Sequence, residues 1–460
     1  MVGATIAIAL VLVTACSDDA DDADEVPTTE DTQDRGTDAQ APPPDDAEDD
    51  GEDEQIPALP DDVALPIVFV HGFAGSAQQF ESQAMRFVAN GYPQERIVAY
   101  DHDGAGLDFD AYAAGVEAVV SRALDDFGVD EVYLVGHSRG TMVSSTYLTE
   151  LGGADQVARY VAIDGAPCPD AVPCIEVTQE SIPGQAHVEV ATSKESFAAQ
   201  FEFLVGEAPE VVDIVPQDGP VTISGRAVNF PSNIGREGAT LDIWRVDSAT
   251  GARTEAEPHA TFELGADGDF GPVEIEVGAH YEYVLSTPDS LNQHHLYLQP
   301  YLRDSHLVRL LSSPPDGPTR VNTNTGDDHA SLVVMRMREW FADGDDRDVL
   351  TIATEHAGGT EGPVDVMEVD FVGNGGIGLH LHDGEAAPRT STLEPLPYFA
   401  DQPFQSGIDV FMPASASGDG VITVTNLPRG DADSPQVINV ANWPSSLHAI
   451  SVVFSDHPVD

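Results

Sequence analysis

Residues 131–141 read EVYLVGHSRGT, and this stretch carries the strongest structural signal in the chain. The apolar run at its start is typical of a strand that is buried on both faces. Gly136 and Gly140 stand two positions on either side of Ser138, and the residues that follow have the pattern of an amphipathic helix. The stretch therefore predicts a strand, a tight turn that exposes Ser138, and a helix.

An alternation of strand and helix extends on both sides of this turn. The runs with the composition of buried strands are PIVFV (66–70), RIVAY (96–100), EVYLVG (131–136) and RYVAID (159–164). Helical patterns separate them, and we expect one of these helices to be capped by Asp108 and ended by Gly128. The alternation predicts a mostly parallel sheet with helices on both faces. A G-x-S-x-G turn between strand and helix in such a sheet is the signature of the α/β-hydrolase fold, in which the serine is the nucleophile.

The partners of the serine are predicted from their order in the chain. In this fold an acid follows the serine and a histidine follows the acid. Asp164 ends a predicted strand, whereas Asp101 and Asp103 precede the serine and rank below it. His187 is the first histidine after Ser138, and the later ones lie in the β-rich remainder of the chain. We therefore predict that Ser138 attacks, His187 accepts its proton, and Asp164 orients the imidazolium.

The loop after the first strand is the expected second half of an oxyanion hole. His71-Gly72 follows that strand directly, as in other hydrolases of this fold. We expect the backbone N–H groups of Phe73 and Arg139 to donate to the oxyanion of the transition state. We expect His71 to shape its loop and His137 to pack under the serine turn.

The pattern changes near residue 206 to short alternating runs separated by Gly, Asp and Pro. This is typical of antiparallel β structure. We therefore predict a catalytic α/β domain over 63–206 and a β-rich C-terminal region over 207–460, built as one sandwich or barrel or as two small ones. The pattern of 329–341 fits a strand or a helix.

The first fifteen residues are almost wholly apolar, and the run ends in VTAC (13–16), with Cys16 as the cysteine. A run of this length is too short to span a membrane and suits a secretory signal. We expect a lipoprotein signal over 1–15, a lipid on Cys16, and an acidic disordered tether over 16–62. The alternative is a plain signal peptide. The expected location is outside the cytoplasm, with the membrane reached through the lipid anchor.

The charge and the cysteines restrict the possible functions. The 460 residues include Asp+Glu 80 and Lys+Arg 19, a balance that argues against nucleic-acid binding and indicates a solvated acidic surface. In an exported protein, the close pair Cys168 and Cys174 predicts a disulfide. We find no metal-binding motif, expect His380 and His382 to be strand or surface residues, and expect no cofactor.

Two segments resemble a family of archaeal two-domain lipases. They are VFVHGFAGSAQQFESQAMRFVANGYP (68–93) and HVEVATSKESFAAQFEFLVGEAPEVVDIVPQDG (187–219). The resemblance implies an α/β-hydrolase domain followed by a lipid-binding β domain, and hydrolysis of acylglycerol or other long-chain carboxylic esters. It implies that the catalytic triad is Ser138, Asp164 and His187. It also implies that Phe73 and Arg139 are the oxyanion donors. The loop after Tyr100 is too short for the helical lid of that family.

The function predicted on these grounds is that of an exported, lipid-anchored serine ester hydrolase that works through an acyl-enzyme. One alternative is a short-chain carboxylesterase or polyester depolymerase, and another is a non-catalytic surface lipoprotein that binds lipid or glycan. The complete Ser–Asp–His set favours catalysis. Because the lid is missing, we expect the β region to supply the apolar wall for the acyl chain, with Trp244, Tyr281 and Tyr297 as candidates. The sequence does not predict the oligomeric state.

Overall fold

The computed structural model describes residues 57–459 apart from 62, 289, 291, 314–316, 345–346, 369–374 and 431–433. The predicted signal, Cys16 and nearly all of the predicted tether lie outside the described residues. Within the described part of the chain, no helix has the length and apolar character needed to cross a bilayer.

The first part of the described chain is an α/β domain, as predicted. Its elements are β1 (Ile67–Val70), α1 (Glu81–Ala89), β2 (Ile97–Tyr100), α2 (Phe109–Phe127), β3 (Val132–His137), α3 (Arg139–Glu150), β4 (Val157–Ile163), β5 (Cys174–Val177), α4 (Glu189–Thr192) and α5 (Lys194–Val205). The five strands form one parallel sheet in the order β2-β1-β3-β4-β5. Because parallel strands end at one edge, the loops after β1, β3 and β4 come together there.

Both faces of this sheet are covered by helices. Phe69 faces a core built with α1 and α5, whereas Val68 and Val70 face a core built with α2 and α3.

The predicted helix limits are confirmed for α2. The Asp108 side chain accepts a hydrogen bond from the backbone N–H of Ala111, and Gly128 ends the helix with a left-handed φ of 64°.

The remainder of the chain is rich in β structure, as predicted. Its elements are β6 (Val221–Asn229), β7 (Ile234–Gly235), β8 (Thr240–Arg245), β9 (Ala260–Glu263), β10 (Asp269–Ile275), β11 (Tyr281–Ser286), β12 (Gln293–Leu298), β13 (Ser305–Ser312), α6 (Pro318–Asn322), β14 (His329–Ala330), β15 (Leu332–Trp340), β16 (Val349–His356), β17 (Gly359–Asp365), β18 (Gly376–His382), β19 (Gln405–Asp409), β20 (Met412–Pro413), β21 (Val421–Leu427), β22 (Gln436–Ala441) and β23 (His448–Val453). Residues 329–341, which fitted a strand or a helix, contain strands β14 and β15.

Two hydrophobic cores lie in this β region and share one sheet. The eight-stranded sheet has the order β19-β18-β15-β23-β12-β11-β8-β9, and the parallel pair β12–β23 joins its two halves. One core forms between the half that contains β12, β11 and β8 and the sheet that contains β6, β10 and β13. The other forms between the half that contains β19, β18, β15 and β23 and the sheet β17-β16-β21-β22. The region is therefore built as two packed layers of sheet on each side of the β12–β23 pair.

The α/β domain and the β region are joined by buried contacts. Leu307 of β13 belongs to the hydrophobic core beneath α1. Asp101, just after β2, is 3% exposed and accepts hydrogen bonds from Arg309 at 2.8 Å and Arg226 at 2.9 Å. Burial opposes its ionisation, but the two arginines, His71 and the Ala77 N–H hold the pKa of Asp101 below its usual range. Asp101 therefore holds the β region against the sheet and lies outside the site described below.

Candidate active site

The turn between β3 and α3 holds Ser138 in a strained conformation. Its φ is 53° and its ψ is −123°, a combination that costs about 1–3 kcal/mol unless the surroundings enforce it. The glycines of the motif are required by close approach. A Cβ on Gly140 would lie 2.1 Å from the Val70 oxygen, and one on Gly136 would lie 2.9 Å from the Gly140 oxygen. The turn therefore presents Ser138 at the carboxyl edge of the sheet.

The three residues predicted as a triad form one chain of hydrogen bonds. Ser138 Oγ lies 2.8 Å from His187 Nε2, and His187 Nδ1 lies 2.5 Å from Asp164 Oδ2. Gln179 also donates to the Asp164 carboxylate, at 2.7 Å from its side chain. Burial opposes ionisation, but the bonds from His187 and Gln179 hold the pKa of Asp164 below its usual range. The geometry allows the imidazole to take a proton from Oγ while an ionised carboxylate stabilises the resulting cation.

The loop after β1 faces Ser138, where the oxyanion hole was predicted. Phe73 lines the same small cavity as Ser138 and His187. No described residue accepts a hydrogen bond from the Phe73 N–H, and Arg139 is the first residue of α3, so its N–H has no partner within the helix. The two amides thus stay predicted donors to an oxyanion formed above Ser138.

The side chain of Arg139 is directed into the loop that follows β2. Its guanidinium donates to the carbonyl oxygens of Gly106 and Asp103, both at 2.7 Å, and lies 5.4 Å from the centre of the Phe73 ring. The side chain is buried, and it joins the loop after β2 to the Phe73 loop. Its charge is thus held by carbonyl oxygens and an aromatic face.

Two buried histidines support the loops around the site. His71 is fully buried, and burial lowers its pKa to about 3. It accepts a hydrogen bond from the His102 N–H, as expected of a loop-shaping residue. Burial likewise lowers the pKa of His137 to about 3. Gln79 donates to His137 Nδ1 at 2.6 Å, so Nε2 carries the proton and donates to the His187 carbonyl oxygen at 2.9 Å.

The β region also holds the backbone next to His187, through a carboxylate that the sequence analysis did not predict. Glu339 of β15 is 2% exposed and accepts hydrogen bonds from the N–H of Val188 and, at 3.0 Å, of Glu189. Burial raises the pKa of Glu339. Glu189 in turn accepts from Arg338 and Arg429 of the β region. No local pattern signals this contact, because the bonded residues are about 150 positions apart in the chain.

Other predicted residues are placed as follows. Cys168 and Cys174 are bonded to each other, so the predicted disulfide is confirmed. His380 and His382 lie on strand β18 and are both 8% exposed. In the described part of the chain, no cluster of three or more His, Cys, Asp or Glu residues is arranged to hold a metal ion.

Family models match most of the described chain in three consecutive segments. A model of the alpha/beta hydrolase fold matches residues 66–202, and a model of the lipase C-terminal domain matches residues 219–315. A third model, also of a C-terminal domain, matches residues 319–458.

Individual known proteins are similar over shorter stretches. A non-heme haloperoxidase of Rhodococcus erythropolis is 36% identical over 133 residues, which are 27% of this chain and 43% of that protein. A non-heme chloroperoxidase of Burkholderia pyrrocinia is 36% identical over 143 residues, 28% of this chain and 44% of that protein. The chain therefore spans less than half the length of these curated relatives.

Among solved structures, the Bacillus licheniformis lipase BlEst2 is 26% identical with a TM-score of 0.20, over 24% of this chain and 45% of that one. The fold assignment rests on the family models and on the sheet itself.

Replacing Ser138 with Ala should abolish ester hydrolysis in a protein that stays folded. His187→Ala should lower kcat by ~10⁶, and Asp164→Asn by the smaller factor of ~10⁴, because the acid orients the base and does not itself transfer the proton. Steady-state kinetics on p-nitrophenyl acetate, with circular dichroism as the test of folding, measure these effects. Near-normal activity in folded Ser138→Ala would rule out this nucleophile.

Replacing Glu339 with Gln should lower kcat about tenfold or more, because an amide nitrogen then faces a backbone N–H donor and His187 loses its fixed position. We expect KM for p-nitrophenyl acetate to stay within about twofold, since Glu339 does not line the cavity next to Ser138. Glu274→Gln, on an exposed strand position of the β region, is the matched control. An unchanged kcat in folded Glu339→Gln would show that the contact does not position the histidine.

The chain thus contains an α/β-hydrolase domain with a serine-centred candidate active site, followed by a lipase-type C-terminal domain.

Proposed function

We propose that this protein is a serine carboxylic ester hydrolase of the lipase type. The observation that carries the proposal is the hydrogen-bonded chain from Ser138 through His187 to Asp164, at a strained turn that matches the alpha/beta hydrolase fold. Ser138 Oγ attacks the ester carbonyl while His187 Nε2 accepts its proton. The amides of Phe73 and Arg139 stabilise the oxyanion. The alcohol leaves with the proton from His187, and water then hydrolyses the acyl-enzyme by the same route.

A lipase-type substrate is favoured by the walls of the site. The cavity beside Ser138 has a volume of about 20 Å³, close to the minimum for one water molecule. Ile377 and Phe404 of the β region line it together with Met337. Ile377 and Phe404 also line a second cavity of about 300 Å³, which lies between β-region residues and Ala74 of the loop after β1. A displacement of these two side chains would give an acyl chain access to the larger cavity.

The sequence predicts other residues, Trp244, Tyr281 and Tyr297, for the apolar wall of the site. Tyr281 and Tyr297 are buried in the two cores of the β region, and Trp244 lies under the Arg253 guanidinium at 4.1 Å. None of the three lines either cavity. The idea that the β region supplies the wall does not depend on them, because Met337, Ile377 and Phe404 can do so.

A short-chain carboxylesterase is the second candidate, and the small volume beside Ser138 favours it. If the walls do not move, only a short acyl group fits there. The two candidates differ in the length of the acyl chain that they prefer, which an ester series measures directly.

The p-nitrophenyl esters of butyrate and octanoate should separate the candidates. Four additional methylenes that leave water contribute about 3 kcal/mol, so a lipase-type site should favour octanoate by roughly 100-fold in kcat/KM. Ile377→Trp should block the way to the larger cavity and reduce octanoate hydrolysis far more than butyrate hydrolysis. Val437→Trp, which enlarges an exposed side chain, is the control. Equal rates on both esters in the wild type would favour the carboxylesterase.

Substitutions serve this test better than removal of residues 207–460. Removing the β region would take Leu307 out of the core beneath α1 and would leave Asp101 without its two arginines. A truncated protein would lose activity for all esters for that reason alone.

We also propose that the protein is exported and anchored by lipid on Cys16. The Cys168–Cys174 disulfide is the supporting observation, because such bonds persist in oxidising compartments. Mass spectrometry of the membrane fraction of the native host should find a mature N-terminus at Cys16 carrying acyl groups. Cys16→Ser should move the protein to the soluble fraction. A mature protein that begins elsewhere, or an unmodified Cys16, would contradict the anchor.

A further inference from the structure

The larger cavity of the β region has one apolar end and one polar end. Met337 and Ile377, on strands β15 and β18, line the cavity beside Ser138. Ser331, directly before β15, and His382, the last residue of β18, line the other end of the larger cavity. Strands β15 and β18 are antiparallel with Leu332 opposite Leu381, so Ser331 and His382 lie side by side. At about 3.3 Å per residue, His382 is about 13 Å along β18 from Gly378, which adjoins Ile377.

Polar atoms at this far end have no partners among the described residues. They are Ser331 Oγ, His382 Nδ1 and His294 Nδ1. Ser331 is 7% and His382 is 8% exposed, so each is more than nine-tenths buried against the cavity. Buried polar atoms of this kind are rare in native proteins, and their presence in a cavity wall points to a polar ligand.

Two guanidinium groups complete the polar end. Arg236 follows β7 and Arg320 is in α6, and both line the cavity. Burial, His295 and both guanidinium groups lower the pKa of His294 to about 3, so that histidine is neutral and lies near both arginines. Among the described residues, neither arginine has a carboxylate within ion-pair distance.

Unpaired arginines are unexpected in a chain with Asp+Glu 80 and Lys+Arg 19. Their present bonds go to neutral acceptors. Arg236 donates to the Asn229 side chain at 3.0 Å, and Arg320 donates to the carbonyl oxygens of Ser445 and Ser446 at 2.7 and 2.8 Å. Guanidinium groups bind carboxylates more strongly than they bind neutral acceptors. The far end of the cavity is therefore the place where a buried negative charge would be stabilised.

We propose that this cavity binds the far end of a substrate chain that ends in a carboxylate, with Arg236 and Arg320 as its cationic partners. The substrate class is an ester of a long dicarboxylic acid, or an oligoester with a free acid end. The proposal rests on the ester hydrolysis proposed above and specifies its substrate. The apolar residues between the two ends, which include Val333, Met335 and Ala449, would contact the methylene chain. The reaction remains hydrolysis of the ester next to Ser138, and the carboxylate takes no part in it.

A matched pair of esters tests this specificity. Mono-p-nitrophenyl dodecanedioate carries the terminal carboxylate, and its methyl-capped counterpart has the same chain without the charge. The wild type should hydrolyse the charged ester with a kcat/KM about tenfold higher, as expected for a hydrogen bond to a charged group. Arg236→Gln and Arg320→Gln should each remove most of this preference and leave the rate on the capped ester within about twofold.

Controls separate binding from folding. Arg122→Gln, on an exposed part of α2, should leave the preference unchanged. Arg320 also donates to backbone carbonyl oxygens, so Arg320→Gln can destabilise the fold. The Arg236 side chain donates to one described side chain, that of Asn229. Arg236→Gln is therefore the decisive variant, with its thermal unfolding compared to that of the wild type. Equal hydrolysis of the two esters by the wild type, or an unchanged preference in Arg236→Gln, would overturn the proposal.

A binding measurement distinguishes this proposal from the proposed function. Calorimetric titration of folded Ser138→Ala with dodecanedioate should give saturable binding that Arg236→Gln weakens about tenfold, while dimethyl dodecanedioate, which has no carboxylate, binds less tightly to the site with both arginines. If neither ester is hydrolysed but this binding is found, the carboxylate site stands and the ester-hydrolase function fails. If both esters are hydrolysed and no binding or preference is found, the function stands and the carboxylate site fails.

Discussion

The candidate active site depends on two hydrogen bonds that the backbone beside His187 donates to the buried Glu339 carboxylate. His187 is on a loop after β5 and is 31% exposed, so its own packing does not fix the ring. The backbone around it is held from both sides. Glu339 accepts from Val188 and Glu189, and His137 donates to the His187 carbonyl oxygen. A catalytic base must be held within a fraction of an ångström of its working position, and the bonds to Glu339 are the restraint that the β region contributes.

The strained turn that presents Ser138, the candidate nucleophile, could be predicted because its signal is local. Ser138 stands between a buried strand and a helix, and the glycines beside it are required by contacts with Val70 and with the turn itself. Asp164 and His187 could be selected from the order of residues along the chain, since few candidates of either type follow the serine before the β region begins. The helix limits at Asp108 and Gly128 are also local, since each depends on one residue next to the helix end.

The remaining features depend on contacts between distant parts of the chain and could not be predicted in this way. Asp101 has the same local setting as Asp164, at the end of a parallel strand, yet Arg226 and Arg309 turn it into a link to the β region. The residues expected to form the acyl wall were chosen for aromatic character, but Tyr281 and Tyr297 fill cores instead. Aromatic residues in a strand pattern do not indicate which face of which sheet will meet the active site.

The distribution of the few basic residues connects these observations. Arg309 binds Asp101, Arg338 and Arg429 bind Glu189, and Arg336 binds the buried Asp348. These cations lie at the contacts between the α/β domain and the β region, or within the β region itself, where they offset carboxylates that are removed from water. The acidic excess is then left to the surface, where solvent screens it. Arg236 and Arg320 do not follow this distribution, because they border a cavity and face no described carboxylate. An anionic ligand in that cavity would give these two arginines the same kind of partner that Asp101, Glu189 and Asp348 give to the others.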